Sequence, residues 1–190
     1  SVAKVRPFIT ALDWTPGALT DAADEASVRV IVLTGAGDVF SSGADLKWMA
    51  SMVDFDYDHN YMDAAQLARL LRTLRHLPKP TVARVNGGAF GGAVGLIACC
   101  DLAVAVDTAQ FGFTEVRLGL APAVISPYVI GAMGQRTARR LFLTGELFSA
   151  QQALAWGLLT DVVATSQLEA SITDCVTQLS RGGPRALRAC

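Results

Sequence analysis

The sequence predicts an α/β fold, and three observations carry that expectation. Short β-branched runs alternate with segments of helical periodicity, glycine-rich turns stand between them, and no low-complexity linker divides the chain. The run Val28-Arg-Val-Ile-Val-Leu-Thr34 is expected as a buried strand, broken by Gly35-Ala-Gly37. A polar loop, Ser41-Ser42-Gly43, follows, and then an apolar-spaced piece from Ala44 to Met52. Residues 53–60 hold Asp and aromatic residues without a period and are expected as a mobile surface loop. Ala64, Leu67, Leu70, Leu71, Leu74 and Leu77 recur at helical spacing, which predicts an amphipathic helix over 61–76, ended by Pro78-Lys79-Pro80. Thr81–Val85 reads as the next strand. Asn86-Gly-Gly-Ala-Phe-Gly-Gly92 is a glycine-rich turn opening into a small-residue helix, Gly91 to Cys100. Leu102–Val106 is a further strand. Residues 138–143, 150–155 and 168–179 are expected as helices, with a strand over 158–163 between the last two.

Composition narrows the function classes. The chain has 190 residues, 52% hydrophobic and 17% charged, which suits a packed domain and excludes a disordered chain. Lys and Arg number 16 against 17 Asp and Glu, a net charge of −1, so no electrostatic footprint for a phosphate backbone exists and nucleic acid is not an expected partner. The longest charge-free run, Leu118 to Gln135, is long enough to span a bilayer, but Pro122, Pro127 and glycines 119, 131 and 134 break it. It is expected as buried protein, not membrane. The N-terminal text SVAKVRPFIT lacks the apolar core of a signal peptide, although the chain starts without Met. The four cysteines form no C-x-x-C and no Cys/His cluster, which argues against a bound metal and for reduced core thiols in a reducing, cytoplasmic setting.

Two of the expected strands run into glycine loops that precede helices. Turns and helix N-termini expose unpaired N–H groups, which attract an anion or a developing oxyanion, and glycine lets another molecule approach the backbone. Either loop alone is as well explained by an ordinary tight turn. The dinucleotide fingerprint fails because Phe40 stands where the third glycine belongs, and neither a P-loop nor a G-x-S-x-G elbow is present. Among ionisable residues, His59 lies in a polar stretch, His76 near a helix end, and Asp101 and Asp107 flank a strand. Glu115 differs: it follows Phe111-Gly-Phe-Thr and precedes Val116-Arg-Leu-Gly-Leu120. A carboxylate in an apolar segment has a raised pKa and serves as a general acid or base. The alternative is a surface Glu paired with Arg117 or another arginine.

Together these pieces resemble the enoyl-CoA hydratase/isomerase (crotonase) family. The resemblance is carried by VRVIVLTGAGDVFSSGADL (28–46), KPTVARVNGGAFGGAVGL (79–96), CDLAVA (100–105), FGFTEVRLGLAP (111–122) and LTGELFSAQQALAWGLLTDVV (143–163). It implies one domain over 1–190 built as a spiral of ββα units, and assembly as a homotrimer or homohexamer. It implies an acyl-CoA thioester as partner, with coenzyme A part of the substrate and no separate cofactor or metal. Ala44 and Gly92 would donate backbone N–H groups to the thioester oxygen, with Gly43, Ala44, Asp45, Leu46, Lys47, Gly91 and Gly92 lining the substrate path. Glu115 would be the catalytic carboxylate.

Hydratases of this family generally use a second glutamate, and here that position is Gly95. Isomerases of the family often work with one. The stretches ADLKWM (44–49), LPKPTVARVNG (77–87), AFGGAVGL (89–96) and TEVRLGLAPAVISPYVI (114–130) resemble bacterial methylglutaconyl-CoA and carboxygeranoyl-CoA hydratases, in which a missing second glutamate is normal. The implied activity is addition of water across C2–C3 of a branched, carboxylated enoyl-CoA, as in leucine breakdown. The alternatives are a single-glutamate enoyl-CoA isomerase and a non-catalytic acyl-CoA-binding member. Ser41-Ser42 departs from the commoner Cys-Ala. Arg6-Pro7 matches the family's N-R-P only in part, and the C-terminal helices of the family trimer are expected to lie beyond Cys190.

Overall fold

The computed structural model describes residues 15–43 and 55–190. Arg6, Pro7, Ala44, Asp45, Leu46 and Lys47 therefore lie outside the described residues, as does the whole of the expected 44–52 piece. In chain order the described elements are α1 (Pro16–Asp24), β1 (Ile31–Thr34), α2 (Tyr57–Arg75), β2 (Thr81–Val85), β3 (Ala89–Phe90), α3 (Gly92–Cys99), β4 (Leu102–Val106), β5 (Gln110–Gly112), a 3₁₀ turn (Thr114–Leu118), α4 (Ser126–Met133), α5 (Gln135–Thr144), β6 (Leu147–Ser149), α6 (Ala150–Ala155), β7 (Asp161–Val163), α7 (Leu168–Arg181) and α8 (Pro184–Ala189).

The strands form two sheets. One is parallel, four-stranded and ordered β1-β2-β4-β7; the other is smaller, ordered β3-β5-β6. Successive strands alternate between them: β2 enters the large sheet, β3 the small one, and α3 follows; β4 and β5 repeat the pattern before the 3₁₀ turn and α4. Ser41 joins the small sheet by a parallel bridge to Ala89, so the chain after β1 takes the same path. This is a spiral of ββα turns. Each turn buries a strand on both faces, which is why Ile31, Val32, Leu33, Val82, Ala83, Val104 and Ala105 are nearly inaccessible and read as continuous apolar runs. Helices α1, α2, α3, α4 and α5 pack each on the next, while α7 packs against β2 and β4.

The ends of the elements follow local chemistry. Thr15 caps α1 by accepting from Ala18 N–H at 3.2 Å, with Pro16 in the first turn where no N–H is needed. Asp56 accepts from His59 N–H at 2.9 Å, so α2 starts at Tyr57. Residues 57–60, expected as loop, are the first helical turn, with Asp56 as its cap. Residues 53 and 54 lie outside the described residues. His76 closes α2, its ring Nδ1 2.8 Å from the Arg72 carbonyl. Ser149 and Gln152 form a reciprocal capping box on α6.

Strand β1 is shorter than expected because Val28 and Val30 are buried but only Ile31–Thr34 pairs with β2. The 158–163 strand shortens likewise to Asp161–Val163, with Leu158 and Leu159 buried ahead of it. The run 118–135 is not uniformly buried. Ile125, Val129 and Met133 face the core, whereas Leu118, Leu120 and Ile130 are exposed. Among the described residues no helix is long and apolar enough to cross a membrane.

Asp101 secures the start of β4 against β2: its Oδ2 accepts from both the Thr81 N–H and the Thr81 hydroxyl, each at 2.8 Å. Thr81 is itself 1% exposed. Asp101→Ala would strand these donors, and a loss of about 1–3 kcal/mol is expected, read as a lowered urea midpoint with unchanged m-value.

Candidate active site

Glu115 is positioned by two successive constraints. Strand β5 ends at Gly112, whose carbonyl accepts from Gly91 N–H at 2.9 Å, so the chain leading into Glu115 is tied to the residue that starts α3. Phe113 then plugs the core, fully buried and edge-on to Phe142 with ring centroids 4.9 Å apart. The 3₁₀ turn follows and places Glu115 in its first turn, closed by the Leu120 N–H on the Glu115 carbonyl at 3.0 Å.

The carboxyl of Glu115 rests against Gly91. A Cβ built there would lie 3.1 Å from Glu115 Oε1, and Gly91 has φ +57°, a conformation glycine adopts without strain. Gly91 thus lets the carboxyl reach the first turn of α3. That turn starts at Gly92, whose N–H has no intrahelical acceptor by its position. Glu115 is half-buried and its Oε2 finds no hydrogen-bond partner among the described residues. Burial pushes its carboxyl above the ordinary glutamate range, opposed only by a backbone hydrogen bond. Among the described residues no ion pair joins it to Arg117, whose Nε instead lies over Gly145, 3.4 Å from where a Cβ would stand. Of the two readings left open for Glu115, the one that pairs it with an arginine finds no ion pair among the described residues.

The first glycine loop arrives beside this site. Gly43 has φ +95°, and a Cβ on it would lie 3.5 Å from the Phe90 carbonyl oxygen, next to Gly91. Phe90 N–H donates to the Ser41 carbonyl at 3.1 Å. Gly43, Gly91, Gly92 and Glu115 are therefore brought together. Ala44 follows Gly43 directly in sequence, but with Asp45, Leu46 and Lys47 it is outside the described residues.

Gly95 is explained by one residue that sequence reasoning missed. A Cβ on Gly95 would lie 2.8 Å from Ile125 Cβ and closer still to its Cγ2 methyl, with Leu71 Cδ2 at 3.5 Å. Ile125 is 2% exposed and fills the space beside α3 in which a side chain at position 95 would start. Gly95 and Ile125 of the Ala-Val-Ile-Ser-Pro stretch are thus packed directly on one another. No periodicity marks Ile125; only the contact between α3 and the start of α4 shows it. His59 and His76 sit at the two ends of α2 and are not part of the site. Cys99 and Cys100 are buried, and burial raises both thiols, that of Cys99 to about 12, so neither is a nucleophile. Among the described residues no group of three metal-ligating side chains gathers.

Comparison with known proteins agrees with this fold. The family model described as enoyl-CoA hydratase/isomerase matches residues 14–190. The crystal structure of an enoyl-CoA hydratase from Shewanella pealeana superposes with a TM-score of 0.87 at 43% identity, covering 90% of this chain and 64% of that one. Pseudomonas aeruginosa AtuE superposes with a TM-score of 0.89 at 34% identity, covering 95% of this chain and 71% of that one. The mevalonyl-coenzyme A hydratase sidH of Aspergillus fumigatus is 37% identical over 166 residues, 86% of this chain and 60% of that protein. The chain spans between 53% and 68% of the length of eight curated relatives that it matches. With its ββα spiral, its paired glycine loops and a family match over residues 14–190, the chain belongs to the enoyl-CoA hydratase/isomerase family.

Proposed function

We propose that this protein adds water across the C2–C3 double bond of an enoyl-CoA, with Glu115 as its single acid and base. The observation that carries the reading is the Glu115 carboxyl, half-buried, raised above the ordinary glutamate range by burial and set against the first turn of α3. The Gly92 N–H and, one residue past Gly43, the Ala44 N–H are proposed to hold the thioester oxygen. Glu115 takes a proton from water as the water oxygen bonds to C3. The C2–C3 π pair moves toward the thioester, giving an enolate whose charge rests on the oxygen between the two donors. Glu115 then returns the proton to C2, the carbonyl re-forms, and one water has been added. Donors of this kind lower the barrier by roughly 3 kcal/mol each.

The acyl group is proposed to be branched and to carry a second carboxylate, on the strength of the resemblance at residues 44–49 and 114–130. Residues Gly43 to Lys47, with Gly91 and Gly92, are proposed to line the path of the thioester and pantetheine arm. The free thiols fit action in the cytoplasm, and assembly as a trimer or hexamer is part of the same reading.

One observation favours a second reading. Because Ile125 occupies the place beside Gly95, Glu115 stands without a partner carboxylate there, and moving a proton between C2 and C4 needs only one. Turnover of methylglutaconyl-CoA in ¹⁸O-labelled water separates the two. A product heavier by one labelled water is expected. An unchanged mass with a moved double bond would replace hydration by isomerisation, and no change across a panel of enoyl-CoAs would leave a binding protein.

A further inference from the structure

We infer that Asn86 is a positioning residue that holds the two donor loops of the proposed oxyanion hole in register. The inference rests on the reading of the site given above. Strands β1 and β2 lie side by side in parallel, paired from Ile31↔Thr81 to Thr34↔Arg84, and each runs into one of the loops. Beyond Thr34 that strand pairing stops. There the half-buried side chain of Asn86 takes over. Its Oδ1 accepts from the Gly35 N–H at 3.0 Å and from the Thr34 hydroxyl at 3.3 Å. Its Nδ2 donates to the carbonyls of Gly37 at 2.8 Å and Val39 at 3.1 Å. Two donors and two acceptor lone pairs are all that an amide has, and the end of β1 with the turn after it uses every one.

The backbone extends the same seam. Phe40 and Ser41 N–H groups both donate to the Gly88 carbonyl, at 3.0 and 3.1 Å, and Phe90 N–H donates back to Ser41. The turn lies so close on Gly87 that a Cβ there would stand 2.9 Å from the Asp38 carbonyl carbon. Asn86 is thus the first stitch between the segment that ends at Gly43 and the segment that ends at Gly91; in sequence, the proposed donors Ala44 and Gly92 come next. A shift of one loop against the other would separate the two donors without touching Glu115. An aspartate at 86 would keep the two acceptor bonds but turn a carboxylate oxygen toward the carbonyls of Gly37 and Val39.

The test uses the full chain with Asn86→Ala and Asn86→Asp. Three readouts are taken: kcat with an enoyl-CoA, the affinity for butyryl-CoA, and the ultraviolet band of the enolate that acetoacetyl-CoA forms when its oxygen is held by N–H donors. Misplacement by about 1 Å costs on the order of 10²-fold in rate. A fall in kcat of roughly 30- to 100-fold is expected in both variants, with the enolate band lost and butyryl-CoA affinity kept within about threefold. Folded variants with kcat and enolate band like wild type would overturn the role of Asn86. Should Asn86→Ala not fold, Asn86→Asp carries the test by the same readouts; loss of the fold in both would make Asn86 a purely structural residue and overturn the inference. Wild-type protein that neither binds butyryl-CoA nor shows the band would instead overturn the reading of the site itself.

Discussion

Glu115→Gln is expected to lower kcat by roughly 10²- to 10⁴-fold while acyl-CoA affinity stays within a few-fold of wild type. Gln keeps the shape of the side chain and its contact with Gly91 but neither accepts nor returns a proton at neutral pH. The N–H donors remain, so the thioester is still held. In wild type, kcat is expected to fall as the pH drops through a pKa above the ordinary glutamate range, since the base must be ionised and burial has raised its pKa. That limb should vanish in the variant. The stability effect has the opposite sense. A carboxyl whose folded pKa is raised binds more protons folded than unfolded, so its contribution to stability is present at low pH and lost as the pH rises through the folded value. Glu115→Gln, neutral throughout, should therefore melt at or above wild type at pH 7 and converge with it in acid. Thermal melts across pH check this, and a lower melting temperature at pH 7 would mean that the Glu115 carboxylate is held by favourable bonds.

The second large effect concerns Gly95. Placing a glutamate there, the residue that the resemblance implies for other hydratases, is expected to damage the protein. Even Gly95→Ala, which gains about 1 kcal/mol of helix propensity, must push α3 away from Ile125, and overpacking of this kind costs about 1–3 kcal/mol. Gly95→Glu adds a carboxylate among Ile125 and Leu71 and should lower stability by several kcal/mol or prevent folding. The cause is testable by a double-mutant cycle. Ile125→Gly alone leaves a cavity and costs stability, but in the Gly95→Ala background it also removes the clash, so its cost there should be smaller. Ile125→Ala would not serve, because the Ile125 Cβ is itself 2.8 Å from the new atom. Urea midpoints of the four proteins measure the coupling, and additive losses would show that Ile125 is not what excludes a side chain at 95.

These effects differ in how far the sequence foretells them. Strands β2 and β4 were legible to the residue because each is buried on both faces and bounded by proline, glycine or Asp101. The glycine turn before α3 was legible for the same reason, and Glu115 stood out as a charge in apolar text. Helix α1 was not foreseen: its nine residues bury only Leu19, Ala22 and Ala23, too few to show a period. The small sheet also escaped notice, since β3, β5 and β6 are two or three residues long and exist only through pairing across the chain. The start of α2 was misread because Asp56, an N-cap, looks like any loop aspartate until its oxygen is seen on the His59 N–H. Ile125 and Asn86 belong to the same class. One fills a gap and the other stitches two loops, and both functions depend on partners thirty or more residues away.

The measurement that reaches the central claim most directly is exchange of the C2 hydrogen of a saturated thioester, butyryl-CoA, in D₂O. It asks only whether a carboxylate and an oxyanion hole together make an enolate, whichever reaction the natural substrate undergoes. Wild-type protein is expected to replace one C2 hydrogen with deuterium, seen as a gain of one mass unit in the thioester, and Glu115→Gln is expected to leave the mass unchanged over the same time. Exchange at equal rates in the two proteins would show that Glu115 is not the base and would contradict the mechanism proposed for this fold.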